Sequence, residues 1–159
     1  MPRPRWTASI ALLALCGAAL SACGGGGDTE QVTAAELVQK ADRICAAERD
    51  TFARVQAHAP PNASVAADQT DELLKATESA SSRLRELKPP ESLQPAYDRY
   101  LEARDRAVDQ LKRGKDAADD QDSAAYGAAQ AALARDAPQR RRLAGALGLN
   151  VCSSGRAAA

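Results

Sequence analysis

The chain has 159 residues, 21 basic and 21 acidic side chains, one His and 3% aromatic residues. This is enough for one domain with a single core, and the balanced charge gives no reason to expect a nucleic-acid partner or a general pull towards an anionic bilayer. A lone His58, with no Glu-x-x-His motif, excludes the usual zinc, haem and di-iron arrangements, so no cofactor and no metal site are expected.

Arg3 and Arg5 open the chain, Ile10 to Leu20 is apolar apart from small residues, and Ser21-Ala22 supplies the small residues before a cleavage point. This layout predicts a secretory signal peptide over residues 1–22, and the apolar run is too short for a spanning helix. Leu20-Ser21-Ala22-Cys23 resembles the lipobox of bacterial lipoproteins. The resemblance implies that the Cys23 thiol receives a diacylglyceryl group and that cleavage leaves Cys23 as the new N-terminus. The competing reading is an ordinary cleaved signal with no lipid. Cys16 follows Leu13-Ala14-Leu15, a poor match to the motif, and reads as part of the discarded signal. Residues 23–32, opening with Gly24-Gly25-Gly26-Gly27, read as a flexible tether with a reach of about 15–20 Å. The expected location is the extracytoplasmic face of the cell membrane, anchored by lipid on Cys23.

Removing residues 1–22 takes Arg3 and Arg5 with it and leaves 137 residues with 19 basic and 21 acidic side chains. Trp6 and Met1 also leave, so the remaining rings are Phe52, Tyr97, Tyr100 and Tyr126. A core of Ala, Leu and Val with few rings suits closely packed helices better than a β-sandwich.

Thr33-Ala34-Ala35-Glu36 is a capping box and starts a first helix. Leu37, Ala41, Ile44, Glu48, Phe52 and Val55 follow at helical spacing, with Cys45 beside them, and Pro60-Pro61 ends the helix. Ser64 or Asp68 caps a second helix, whose buried face is Leu73, Leu74, Thr77, Ala80, Leu84 and Leu87, and Pro89-Pro90 stops it. Ser92 caps a third helix, with Pro95 in its first turn and Leu93, Tyr97, Tyr100, Leu101, Val108 and Leu111 inward. The pairs Glu36–Lys40, Glu102–Arg106 and Asp109–Arg113 have the i,i+4 spacing of favourable surface contacts. Asp116 to Asp122 reads as a polar connector, and Asp122 as the cap of a fourth helix carrying Tyr126, Ala129, Leu133, Ala137, Leu143, Ala144 and Leu147. Pro138 predicts a kink or short break near Asp136. Gly148 ends that helix in a left-handed conformation, residues 149–152 return to the first helix, and residues 153–159 are expected to be frayed. Short connectors and amphipathic helices make an all-α, antiparallel four-helix bundle over residues 33–152 the economical fold.

With Cys16 removed and Cys23 lipidated, Cys45 and Cys152 remain. In an oxidising exterior they are most simply a disulfide closing a loop of about 108 residues, worth up to about 4.7 kcal/mol. The competing reading is a redox-active thiol pair, although no neighbouring Lys or His obviously depresses either pKa. Ala41-Asp42-Arg43-Ile44-Cys45 and Gly148-Leu149-Asn150-Val151-Cys152 resemble a broad group of small exported actinobacterial helical lipoproteins, as do Pro89-Pro90 and the tyrosine-bearing helix after them. The resemblance spans most of the mature domain. It implies the bundle and the disulfide and carries over no catalytic residue.

Arg140, Arg141 and Arg142 are the sharpest charge feature. Three consecutive arginines cover most of a helix circumference, so at least one must leave the solvent face or snorkel. Their functional reading is a contact with anionic headgroups, a wall polymer or a partner's acidic patch. Their plainer reading is a wet face paired with nearby carboxylates. Asp116, Asp119, Asp120 and Asp122 lack the ligand spacing, central glycine and closing glutamate of an EF-hand loop and read as a solvated turn. Tyr97, Tyr100 and Tyr126 read as core residues, with a ligand cavity as the alternative. Asn62-Ala63-Ser64 matches a glycosylation sequon and is discounted beside a bacterial-type signal.

The expectation is therefore a non-enzymatic, lipid-anchored binding protein whose partner is a protein or an envelope component. The alternative is a carrier or sensor of a small apolar ligand held between the helices. Cys23→Ser should move the protein from the detergent-rich to the aqueous phase in a detergent phase partition. Unchanged partition would remove the lipid anchor from consideration.

Overall fold

A computed structural model describes residues 31–154 of the chain. The signal segment, Cys23, most of the tether and residues 155–159 lie outside the described residues. The described chain is all-helical, with four long helices packed together: α1 (Ala34–Val55), α2 (Ala63–Arg85), α3 (Gln94–Asp119), α4 (Ser123–Ala146) and a short α5 (Asn150–Ser153). No helix among the described residues is long and apolar enough to cross a membrane.

Local chemistry sets most helix ends. The Glu36 amide donates to Thr33 Oγ1 and the Thr33 amide to Glu36 Oε2, at 3.2 and 2.9 Å, which closes the capping box. These bonds from Thr33 hold the Glu36 carboxyl below its usual range. α1 stops at Val55, before Pro60. α2 is capped by Asn62, not by Ser64 or Asp68, both of which lie inside the helix. Asn62 is extended and its side chain accepts the Val65 amide at 2.9 Å. Ser92 does not cap α3. The helix grows instead out of a backbone turn in which the Leu93 and Gln94 amides donate to Pro90 O, and Pro95 sits in its first turn. The expected connector from Asp116 is helical as far as Asp119, because buried Ala117 and Ala118 continue the inward face of α3. Only residues 120–122 turn, with Gln121 at φ 57°. Asp122 caps α4 by accepting the Ala125 amide at 2.9 Å.

α4 runs unbroken through Pro138, so the expected break near Asp136 is absent. Proline there withdraws a hydrogen bond from the Ala134 carbonyl. Both residues are exposed, so water can take that bond. Gly148 ends the helix at φ 75°, and the Leu149 amide returns to Ala144 O at 3.0 Å. Leu149 then enters the core with no exposed surface. The return to α1 is itself a helix, α5. The part of the predicted tail that is described is ordered: Ser153 belongs to α5, and Ser154 Oγ accepts from Arg49 at 3.3 Å. The three expected surface pairs do not close. The ion pairs that form include Lys75–Asp71, Lys115–Asp119, Arg54–Glu72 and Arg85–Asp105.

The apolar interior falls into three clusters. The largest joins Leu37, Ile44, Leu84, Tyr97, Tyr100, Leu147 and Leu149. A second joins Val55, Leu73, Leu74, Val108 and Leu111, with Phe52 and Leu133 against it. The third is small, with Ala66, Ala67 and Ala118 under Tyr126. Tyr97 reconciles its hydroxyl with burial by donating to Leu84 O at 2.8 Å. Burial and the neighbouring Tyr100 push its pKa up.

Each long helix packs on the next in the chain, but α1 does not pack closely on α4. α5 bridges them. Cys45 and Cys152 form a disulfide across 107 positions of chain. Asp42 Oδ1 accepts the Val151 and Cys152 amides at 2.9 and 3.3 Å, which satisfies two amides of the first turn of α5. The Ala-Asp-x-Ile-Cys and Gly-Leu-x-x-Cys segments are thus the two halves of one clasp. Reducing the disulfide, or making the Cys45→Ser, Cys152→Ser variant, should cost about 2–5 kcal/mol of unfolding free energy. Urea denaturation with and without reductant measures it, and coincident curves would show that the bridge contributes nothing.

Candidate functional site

Because α5 spaces α1 from α4, a cleft opens between them, with a volume of about 420 Å³. Phe52 on α1 and Leu133 on α4 form its walls, and Leu73, Ala107 and Leu111 of α2 and α3 form its floor. Cys152 and Ser154 close one end. This size falls within the range of small-molecule sites.

The polar end is built around Arg104. It occupies a core position of α3, in line with Tyr97, Tyr100, Ala107 and Leu111, and is 7% exposed. Its Nη2 donates to both carboxylate oxygens of Glu48 at 2.8 and 2.9 Å, and its Nε donates to Ser81 Oγ at 3.1 Å. The two side chains are only 9% and 14% exposed. Burial disfavours the charge on Arg104, but Glu48 and Tyr100 together outweigh it and the net effect raises the guanidinium pKa. Such a pair gives little net stability, yet either partner alone would be a stranded charge. Tyr100 stands next to it, and its hydroxyl donates to Cys45 Sγ at 3.6 Å, since a disulfide sulfur carries no proton. Burial pushes the Tyr100 pKa up.

Two further guanidinium groups face the cleft, Arg49 from α1 and Arg140 from α4. Arg49 Nε and Arg140 Nη1 are buried and have no hydrogen-bond partner among the described residues. Arg140 forms no hydrogen bond or ion pair there at all. Burial, and then the like charge of Arg104, lower its pKa. A smaller cavity of about 260 Å³ adjoins, and Arg104, Arg140, Cys152 and Ser154 line both.

Of the residues singled out by sequence, Arg140 turns inward to the cleft, Arg141 is exposed at the rim of the smaller cavity, and Arg142 is exposed on α4. Cys45 and Cys152 form the end wall, and Cys23 lies outside the described residues. Tyr97 is core, Tyr100 lines the smaller cavity, and the Tyr126 hydroxyl lies 3.5 Å from Thr70 Oγ1. His58 is exposed and contributes its backbone carbonyl to Gln69. Asp116, Asp119, Asp120 and Asp122 are exposed, and no group of three or more His, Cys, Asp or Glu among the described residues could hold a metal ion. Arg49 and the Glu48–Arg104 pair are absent from the sequence-based site. The signal for the pair was present: both sit at helical spacing within otherwise apolar stripes, with opposite charge.

The lining groups are thus apolar side chains, guanidinium donors, hydroxyls, the amides of Gln56 and Gln130, and one carboxylate already held by Arg104. This set suits binding. Glu48→Gln should cost about 3–5 kcal/mol by stranding Arg104, whereas the double variant Glu48→Leu, Arg104→Met should recover most of that loss. Urea unfolding of both variants checks the claim. A Glu48→Gln protein as stable as the parent would mean that Arg104 finds its compensation elsewhere.

No protein-family profile, curated protein or solved structure matches this chain.

Proposed function

We propose that the protein is a lipid-anchored, extracytoplasmic binding protein with no catalytic step, and that the cleft between α1 and α4 is where its ligand sits. The observation that carries the reading is the cleft itself: about 420 Å³ of space with an apolar floor and a polar end, left by two helices that α5 holds apart. Bundles bind ligands between facing helices in this way. The membrane anchor through Cys23 rests on the lipobox resemblance, as does kinship with the exported actinobacterial lipoproteins.

The same reading takes the four long helices to run alternately up and down. Support comes from the order in which they meet the apolar clusters. α1 meets the large cluster at Leu37 and the second at Val55; α2 meets the second at Leu73 and the large one at Leu84. α3 runs from Tyr97 to Leu111 in the sense of α1, and α4 from Leu133 to Leu147 in the sense of α2.

Native mass spectrometry of the mature chain, exported and purified from a related host, tests the binding role. A persistent non-covalent adduct is expected, and Ala134→Trp, which fills the cleft from the α4 side, should abolish it. A bare chain, or an adduct indifferent to Ala134→Trp, would move the function from the cleft to the outer surface.

A further inference from the structure

The unusual feature of the cleft is unsatisfied positive charge. Arg49 Nε and Arg140 Nη1 are buried without a partner among the described residues, and both side chains line the same cavity. A buried donor left unpaired costs about 1–3 kcal/mol, more when charged, and native proteins rarely carry one without a reason. Two carboxylates act on Arg140, Asp136 one turn earlier on α4 and then Glu48, yet neither is hydrogen-bonded to it, and both oxygens of Glu48 point to Arg104. Arg104 adds a second positive charge to the surroundings of Arg140. Beyond the arginines the cleft changes character: Phe52, Leu111 and Leu133 present apolar surface.

We infer that the cleft takes an amphiphilic oxyanion, a single apolar chain ending in a carboxylate or phosphate, with its head on Arg49 and Arg140 and its chain along Phe52, Leu111 and Leu133. This deepens the proposed function and rests on the cleft being the ligand site. Guanidinium groups match planar or tetrahedral oxyanions in shape and charge, and their hydrogen bonds strengthen where water is excluded. The head satisfies the two open N–H groups, and the chain covers the apolar walls. An uncharged apolar ligand would leave both donors buried and unpaired, and an ammonium head would add a further positive charge. The small apolar ligand that the sequence offered as an alternative therefore fits the cleft less well than an anion of similar length.

Isothermal titration calorimetry on the complete mature chain, residues 23–159 with Cys23→Ser, decides the matter. The probes are octanoate, octyl phosphate, octanol, octylammonium, acetate and inorganic phosphate, each below its micellar concentration. Octanoate or octyl phosphate should bind at least about tenfold tighter than octanol and octylammonium, a difference of about 1.4 kcal/mol. The tighter of the two anions identifies the head. Acetate and inorganic phosphate, which lack the chain, should bind at least as weakly as octanol. Arg140→Gln and Arg49→Gln should each weaken the anion at least about tenfold, Arg140→Lys should lose less than Arg140→Gln, and Arg113→Gln, on the exposed side of α3, should change nothing. The urea midpoint of Arg140→Gln should stay level or rise, because the variant removes a half-buried cation that no hydrogen bond or ion pair holds; a merely structural arginine would lower it.

Octanol binding as tightly as octanoate would overturn the anionic assignment while leaving the cleft as a ligand site. No heat from any chain-bearing probe would overturn both. Full affinity in the folded Arg140→Gln and Arg49→Gln variants would remove the head-group site. Should one variant fail to fold by circular dichroism, the other, with Arg140→Lys, carries the same decision.

Discussion

The structure depends on the clasp between α1 and α5. α4 is rich in alanine, and within it only Ala129 and Ala144 are fully buried. Such a helix gains little from its own apolar face. It packs well on α3, where Ala129 faces Gly114, but it has no broad contact with α1. The Cys45–Cys152 bridge, the Asp42 carboxylate under the amides of α5, and Leu149 in the core tie the end of the chain to its beginning. The cleft is a by-product of that arrangement. A four-residue helix fills part of the gap between α1 and α4 and props the remainder open.

A second constraint acts at the level of Glu48 and Arg104. Along α1 and α3 this pair lies between the large apolar cluster and the second one. Two opposite charges that meet only when α1 and α3 are at one relative height penalise a slipped register more than they stabilise the correct one. Ser81 on α2 brings a third helix into the same layer. The interior is therefore apolar, polar and apolar in turn, and the polar layer supplies the charged end of the cleft.

What was legible in the sequence follows the range of the physics involved. The Thr33–Glu36 box, the Asp122 cap and the left-handed Gly148 are decided within a few residues, and each stands as read. The Cys45–Cys152 disulfide was legible because the expected signal peptide accounted for Cys16 and the expected lipid for Cys23, which left one pair. The errors came where nearby signals competed or distant packing intervened. Asn62, Ser64 and Asp68 are all good caps, and only the extended backbone after Pro60-Pro61 favours the first. Four aspartates between residues 116 and 122 look like a loop until Ala117 and Ala118 are seen packed inward. The helix continues through Pro138, at a place where Ala134 and Pro138 are both exposed and water can replace the withdrawn bond. The cleft itself was not legible, since the spacing of two helices remote in sequence leaves no trace in the periodicity of either. Its charged end was half visible. Glu48 stood in the apolar stripe of α1, and the oppositely charged residue at the equivalent place on α3 went unpaired with it.

The walls of the cleft come from the first and the last long helices, and its end wall is a bond between the two ends of the domain. A chain emerging N-terminus first can assemble α1, α2 and α3 while the site still lacks one side. The last wall arrives with α4 and α5, and the Cys45–Cys152 bond fastens it to the first helix. The order of synthesis thus makes closing the cleft the final step of building the domain.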